Sequence, residues 1–476
     1  MKKISILFVA LIGLFSASCD KDFETVNTDP NNPTAVPAHL LLGNIIRINQ
    51  NVIYGMQQGG DMGMCWAQQV SKVQYNDEER YIPRRTAIDG IWSTLYASVI
   101  SDAKSMYTLA EAEGNTNLMG ISLVLQANAF QILTDLYGPI PYTHACETLN
   151  LKPAYDSQEV VYAGILDLLT QADAKLAAGS GSVPASSDLV YGGNTTKWRK
   201  LANSLKLKAL MRVSGVRAGV GAEIQALVTA GNLMSSNSDS AQLAYLAAQP
   251  DANPIYETVV FGARFEYKVS SVMVNMLQTA NDPRLAVYAK KNSADAYVGN
   301  IPGEEHSGSY AAYSSLGTLY QSATLPGVIL SNAQVQFLLA EASVKFPANS
   351  IGDPTTYLVK GIQSNLDYNG VSAAAAAAYI APIETGFPTA STSLQKELIA
   401  TESWVALFGQ GFEAWTEWRR THFPALSPVV NAAETAIPKR LYYPSTEISL
   451  NRDSYNAATA TITGGDTLTS PLWWMN

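Results

Sequence analysis

Three kinds of side chain in this 476-residue sequence could do chemistry. The first is the thiol of Cys19. It follows the basic pair Lys2-Lys3, an apolar stretch from Ile4 to Phe15 and the small residues Ser16-Ala17-Ser18. That stretch is too short to span a bilayer and has the proportions of a signal-peptide core. A peptidase that cuts ahead of a lipid-modified cysteine needs a small residue just before it. Residues 1–18 therefore read as a lipoprotein signal and Cys19 as the acylated N-terminus, carrying palmitate or a similar chain. An ordinary secretory signal with a cysteine at its cleavage site is the alternative.

The second kind is catalytic or metal-binding, and here the pattern is poor. His39, His144, His306 and His422 are scattered, with no H-E-x-x-H and no second ligand at metal spacing. There is no G-x-S-x-G elbow and no EF-hand loop. Gly409-Gln410-Gly411-Phe412-Glu413-Ala414 matches G-x-G-x-x-A in form but follows a helical pattern, so the strand that a dinucleotide site requires is missing. Glu304-Glu305 are adjacent carboxylates, but a glycosidase needs two carboxyls set across a sugar, which adjacency does not supply. No catalytic residue, metal ligand or cofactor is expected.

The third kind recurs: aromatic residues beside amides and acids in segments without helical period. Trp66-Ala67-Gln68-Gln69 leads to Tyr75-Asn76-Asp77-Glu78-Glu79-Arg80-Tyr81. Phe265-Glu266-Tyr267 follows an irregular stretch, and Tyr310, Tyr313 and Tyr320 lie in a Gly/Ser/Pro-rich region from 297 to 326. Ring faces that stack on apolar sugar faces, with amides and acids for the hydroxyls, make a carbohydrate site. Trp66, Tyr75, Tyr81, Phe265, Tyr267, Tyr310, Tyr313 and Tyr320 are the candidate ligand-binding residues.

The elements that must position them are helical. Residues 20–33 read as an extended tether. Apolar residues at steps of three and four mark helices from about Ala35 to Val52, from an Asp89 cap to Glu113, and from Asn117 to Leu136, which Gly138-Pro139 should stop. Another runs from Asp156 or Ser157 to Leu176. After a Gly/Ser-rich loop, Asn194-Thr195-Thr196 should cap a helix that buries Trp198, Leu201, Ala202, Leu205, Ala209 and Val213. Lys197, Arg199, Lys200, Lys206 and Lys208 fall largely on its other side and should be solvated. Further helices are expected at 269–279, 332–344, 355–369, 372–381, 394–408 and 412–420. Trp404, Phe408, Trp415 and Trp418 of the last pair should share one buried seam. Strand patterns are short, so stacked helix pairs without a clean repeat period are the natural architecture.

Composition narrows the partners. The net charge is −9 and no basic patch stands out, which argues against nucleic acid and against electrostatic docking on anionic lipid. Charged residues make only 15% and tyrosine is abundant, a surface that leans toward neutral ligands. Cys65 and Cys146 could pair in an exported protein. Their spacing does not place them in reach, and Cys65, between Met64 and Trp66, reads equally as a small core residue.

Several segments carry a resemblance: Cys19; Asp135-Leu136-Tyr137-Gly138-Pro139-Ile140-Pro141-Tyr142; Trp198-Arg199-Lys200-Leu201-Ala202-Asn203-Ser204-Leu205-Lys206-Leu207; Asp282-Pro283-Arg284; Leu338-Leu339-Ala340-Glu341-Ala342; Gly411-Phe412-Glu413-Ala414-Trp415-Thr416-Glu417-Trp418-Arg419-Arg420; and Pro438-Lys439-Arg440-Leu441-Tyr442-Tyr443-Pro444 with Glu447 and Asn451. In this order they resemble the SusD/RagB outer-membrane nutrient-binding lipoproteins of Bacteroidetes. The resemblance implies a mostly α fold, an α-α superhelix of degenerate TPR-like helix pairs with a loop-rich region packed on it, filling residues 34–476 as one domain behind the 19–33 tether. It implies no enzymatic activity. The job would be capture of an oligosaccharide or other nutrient at the outer face of the outer membrane, for delivery to a SusC-like TonB-dependent transporter. Asp20, Asp22 and Glu24 look like the acidic export signal of such lipoproteins. Arg419, Arg420 and Glu413 are expected to pair within the scaffold. A lipid-anchored glycan hydrolase and a helical-repeat scaffold that binds protein are the competing readings.

Overall fold

The computed structural model describes residues 36–475; Cys19, the signal and the tether lie outside them. Helix α1 spans His39–Tyr54 and runs into a wide π turn, Met56–Met64, that carries Gly59, Gly60 and Gly63. A short strand β1, Val70–Lys72, follows. The expected Asp89-capped helix is three pieces: α2, Arg85–Thr94; a π segment, Leu95–Ile100; and α3, Ser101–Ala112. Asp89 sits inside α2 and caps elsewhere, its carboxylate accepting the N–H of Ser445 at 3.1 Å.

Helix α4, Thr116–Tyr137, is the most enclosed helix, and nearly every residue in it is buried. A helix apolar all round belongs at the centre of a scaffold. Asn115 caps it by accepting the Leu118 N–H at 3.0 Å. Gly138 ends it at φ 92°, a backbone that a side chain would strain. The Tyr443 hydroxyl then donates to the Pro139 carbonyl at 2.6 Å, and Arg440 donates to that of Tyr137 at 2.8 Å. The Tyr-Gly-Pro segment thus fixes a helix exit.

Helices α5 (Gln158–Ala178), α6 (Thr195–Arg212) and α7 (Val220–Ala230) extend the stack, α5 on α4 and α6 on α5. Ser157 and Asn194 cap α5 and α6 as expected. The indole of Trp198 donates to Asp188 at 2.8 Å, and the same carboxylate accepts the Gly193 N–H, which ties the preceding loop to α6. The charged side of α6 departs from expectation. Lys208 is buried beside Glu413 at 3.4 Å, and Arg199 and Lys200 pair with Asp173 and Asp239 at 2.8 and 2.9 Å. Neighbouring elements supply carboxylates that a view of α6 alone cannot include.

The middle of the chain is loop-rich, with strand β2 (Ala241–Leu243), strand β3 (Tyr267–Val269), helix α8 (Ser271–Thr279, capped by Ser270) and strand β4 (Gly327–Leu330). The strands form two antiparallel pairs, β1 with β3 and β2 with β4. Helices α9 (Asn332–Lys345), α10 (Pro354–Tyr368), α11 (Ala373–Gly386) and α12 (Thr392–Ala406) follow and share a second, smaller apolar cluster around Phe337, Leu358, Ile362 and Ile399. Helix α13, Gly411–Thr421, crosses the Met56–Met64 turn so closely that a Cβ on Gly63 or Gly411 would overlap the other segment's backbone. The second glycine of Gly409-x-Gly411 is therefore a packing residue. Trp404 and Trp415 are fully buried, Phe408 stacks on Tyr288, and Trp418 is only half-buried at the edge of the seam. Short helices α14 (Ser445–Leu450) and α15 (Arg452–Thr461) close the chain.

Cys65 is buried and Cys146 exposed, and each is a free thiol. Among the described residues no helix is long and apolar enough to cross a membrane. The architecture is the mostly α arrangement of stacked helix pairs that the sequence implied, with the loop-rich region packed against it.

Candidate functional site

The eight candidate aromatics separate into two sets. Trp66, Tyr81, Tyr267 and Tyr320 are core residues. Trp66 donates to the Glu78 carbonyl at 2.8 Å and meets Trp415 edge to face, ring centroids 5.0 Å apart. The Tyr81 hydroxyl accepts the Val429 N–H at 3.0 Å. Tyr267 donates to Asp61 at 2.8 Å, and Tyr320 donates to Asn369 at 3.0 Å with its ring against Phe408. Each ring is covered by protein and each polar tip is satisfied, so these four offer no face to a ligand. An aromatic beside amides reads the same in sequence whether it points in or out.

The other four reach the surface together. Tyr75 and Phe265 are 56% and 54% exposed, and Tyr310 and Tyr313 are half-buried. The edge Val73-Gln74-Tyr75, just past β1, is their meeting point. Tyr310 donates its hydroxyl to Gln74 Oε1 at 2.5 Å. The guanidinium of Arg264 lies 5.5 Å from the Tyr75 ring centroid, and exposed Phe265 is the next residue in the chain. His306 donates its backbone N–H to the Val73 carbonyl at 2.8 Å, and its ring packs 5.1 Å from that of Tyr313. Tyr75 holds φ 60°, a left-handed backbone uncommon for a bulky residue and of the kind found where a side chain must be aimed. The result is a shelf of rings with Gln74, Arg264, His306 and Glu304 at its margin. Phe261, 63% exposed, stands four residues before Phe265 on the same turn. Sequence reading passed over it because its neighbours Val259 and Val260 look like core.

The shelf rests on a buried charged floor, and strand alternation explains how. In the register of β1 and β3, Lys72 faces Tyr267 and Ser71 faces Lys268. Lys72 and Tyr267 point inward, where the Lys72 ammonium meets Asp61 at 3.2 Å and Glu78 at 3.1 Å. Burial works against that ammonium, but the two carboxylates more than offset it and hold its pKa above the usual lysine range. Burial also pushes the Glu79 carboxyl up to about 7, although it accepts the Lys72 N–H at 3.0 Å. Ser71 and Lys268 point the other way, toward Asn300, which donates to Ser71 Oγ at 2.8 Å, and Tyr310. Cross-linking of this kind holds the aromatic platform rigid.

Two clefts lie elsewhere. One of about 600 Å³ is walled by Met276, Leu277, Tyr379, Pro382 and Leu398; another of about 590 Å³ by Trp92, Tyr96, Pro141, Leu151 and Glu447. The sequence flagged neither, since their walls come from segments far apart in the chain. Among the described residues no group of three or more His, Cys, Asp or Glu is placed to hold a metal ion.

Comparison with known proteins identifies the family and the fold. A SusD-like family model, described as starch-binding and associating with the outer membrane, matches residues 30–444. A solved chitin-binding protein is 25% identical, superimposes with a TM-score of 0.80 and is covered over 98% of its length by 92% of this chain. A SusD homologue from Bacteroides fragilis is 26% identical with a TM-score of 0.79, matched over 100% of its length and 93% of this chain. Another from Bacteroides uniformis shares the fold at a TM-score of 0.82 with 22% identity, over 99% of its length and 92% of this chain. No curated protein matches the chain.

Proposed function

The chain belongs to the SusD-like family, and on that premise we propose that it captures a glycan or other nutrient at the outer membrane without transforming it. The observation that supports this reading is that Tyr75, Tyr310 and Tyr313 gather at the Val73-Gln74-Tyr75 edge, with exposed Phe265 next in sequence to Arg264, which faces the Tyr75 ring. Large apolar rings are normally withdrawn from water, and a group of them held out with amide and charged side chains at the rim suits the alternating apolar faces and hydroxyls of a sugar. An open shelf takes a stretch of polymer where a closed pocket would take a chain end. The chitin-binding relative supports a glycan as the ligand class.

On this reading Cys19 anchors the protein by its acyl chains to the outer face of the outer membrane, and a SusC-like TonB-dependent transporter receives the ligand. The acids after Cys19 and the family membership support that placement. No step of bond cleavage is needed.

The test is binding of the mature chain, purified in mild detergent, to a panel of polysaccharides by affinity electrophoresis and titration calorimetry. At least one glycan should bind, and Tyr75→Ala with Phe265→Ala should abolish it while leaving the fold intact. Retention by the double variant of full affinity would move the site to one of the two clefts. Steady release of sugar from a bound glycan would replace the reading with a hydrolase.

A further inference from the structure

We propose that Lys268 makes the aromatic shelf selective for acidic glycans, its ammonium taking the carboxylate or sulfate borne by a sugar that lies on the surrounding rings. This rests on the shelf being the capture site, and it reverses the lean toward neutral ligands that the composition suggested.

The two lysines of the β1–β3 pair differ in their partners. Lys72, on the inner face, has Asp61 and Glu78 within 3.2 Å. Lys268, on the outer face, is only 5% exposed, yet its Nζ has no hydrogen-bond acceptor or carboxylate in contact among the described residues. The Tyr310 ring lies 6.0 Å from it, measured to the centroid. Burial accordingly draws the ammonium down to about 8, and only the more distant Glu266 opposes this. An unpaired cation so enclosed is costly, and proteins tolerate it where a ligand supplies the missing charge.

The arginines of the shelf already face carboxylates. Arg264 pairs with Glu266, and Arg80 donates to the Gly303 carbonyl at 2.7 Å and faces Glu305 at 3.8 Å. His306 lies 3.6 Å from Glu304. Lys268 is therefore the shelf's open positive valence, and it sits beside the Tyr310 ring that the bound sugar would cover. An ammonium is a compact point charge with three rotatable donors, suited equally to a uronate carboxylate or a sulfate ester.

The experiment compares three tetrasaccharides of matched length on the mature chain: oligogalacturonate, a sulfated carrageenan oligosaccharide and neutral galactotetraose. At least one acidic ligand should bind about tenfold or more tightly than the neutral one. Lys268→Met should remove that preference and leave neutral binding within about twofold, and Lys268→Arg should keep it. Which acidic ligand binds identifies the anion as carboxylate or sulfate. If the Met variant melts early, the salt dependence of the wild-type preference is the second readout, since an ion pair must weaken as salt rises. Neutral binding equal to both acidic ligands, or an acidic preference that survives Lys268→Met or is indifferent to salt, overturns the proposal and leaves glycan capture standing. Failure of all three to bind, with the polysaccharide panel also negative, overturns both.

Discussion

In the shelf, Tyr75 and Phe265 stand in water over a floor that immobilises them, and their charged neighbours are at the rim. In the seam where α4, α6 and α13 meet, the arrangement is inverted: charges are at the centre and aromatic rings pack around them. Arg212, fully buried, donates to Glu417 at 2.7 Å and Glu413 at 3.0 Å and lies 3.3 Å from Asp135. Arg420 joins Glu417 at 2.7 Å to Glu341 at 2.6 Å. Among the described residues Arg419 has no carboxylate in ion-pair contact. It is spent on the carbonyls of Asp135 and Lys439, each at 2.7 Å, with its guanidinium 3.7 Å from the Trp415 ring centroid. Burial opposes the Glu417 carboxylate, yet its two arginines hold it down at about 2. Of the segments that carry the family resemblance, those holding Asp135, Glu341, Lys439 and Gly411–Arg420 meet in this seam, and none of the described ones contributes a ring to the shelf. What makes the chain recognisable is its scaffold, and what would make it selective lies in segments outside that seam.

That division can be attacked from both sides. The largest effect should come from Arg212→Met, which takes from buried Asp135 its ion-pair partner and from Glu413 and Glu417 one of two cations each. Breaking a buried ion network from one side costs about 3–5 kcal/mol. Urea denaturation should show the loss while glycan affinity of the folded protein stays within about twofold, and a matching loss of affinity would show that seam and shelf are one unit.

Glu79→Gln probes the shelf's own floor. The Glu79 pKa is raised from an ordinary 4.5 to about 7. The stability it contributes is therefore complete below about pH 4.5 and is lost as pH rises through about 7. The Gln variant should be more stable than wild type at pH 8, by on the order of 2 kcal/mol, and lose most of the advantage at pH 4.5, as thermal melts across that range would reveal. An unchanged pH slope would mean that the carboxyl is not held in the buried state described.

Tyr75→Ala alone should weaken glycan binding by roughly 1 kcal/mol, about fivefold in Kd, with stability altered by less than about 0.5 kcal/mol. Asn194→Ala should do the reverse, losing about 1 kcal/mol of stability with the cap of α6 and nothing in affinity. Calorimetry and melting curves on this pair give the finest test. Effects that move together would dissolve the distinction between region and scaffold.

The helices were legible because their signals are local. Asn115, Ser157 and Asn194 sit beside the apolar periods that they cap, and Gly138-Pro139 ends α4 where a stop was expected. The Asp89 cap failed because α2 already begins at Arg85, four residues earlier, so that Asp89 lies within the helix. α7 was passed over because Val220–Ala230 is short and follows a Gly-containing turn. The inward turn of Lys208 and Arg212 depends on Glu413 and Glu417, some two hundred positions later. The shelf was half legible for the same reason. Composition located the segments that hold Tyr75, Phe265, Tyr310 and Tyr313, but strand register decides which residues of such a segment point outward. Lys268 escaped notice for that reason, since nothing in Tyr267-Lys268-Val269 says which side chain lies under the tyrosine loop.

The contacts behind the platform set a timetable. Trp404 donates its indole N–H to the Ala67 carbonyl at 3.1 Å, and Gln69 returns a bond to the Trp404 carbonyl at 2.7 Å, across 337 and 335 residues of chain. Closing loops of that length waits on everything between them, whereas α4, α5 and α6 are neighbours in sequence and can dock early. A chain emerging N-terminus first would present β1 long before its backing arrives, so the surface that meets the ligand is completed only when α12 and α13 have been delivered.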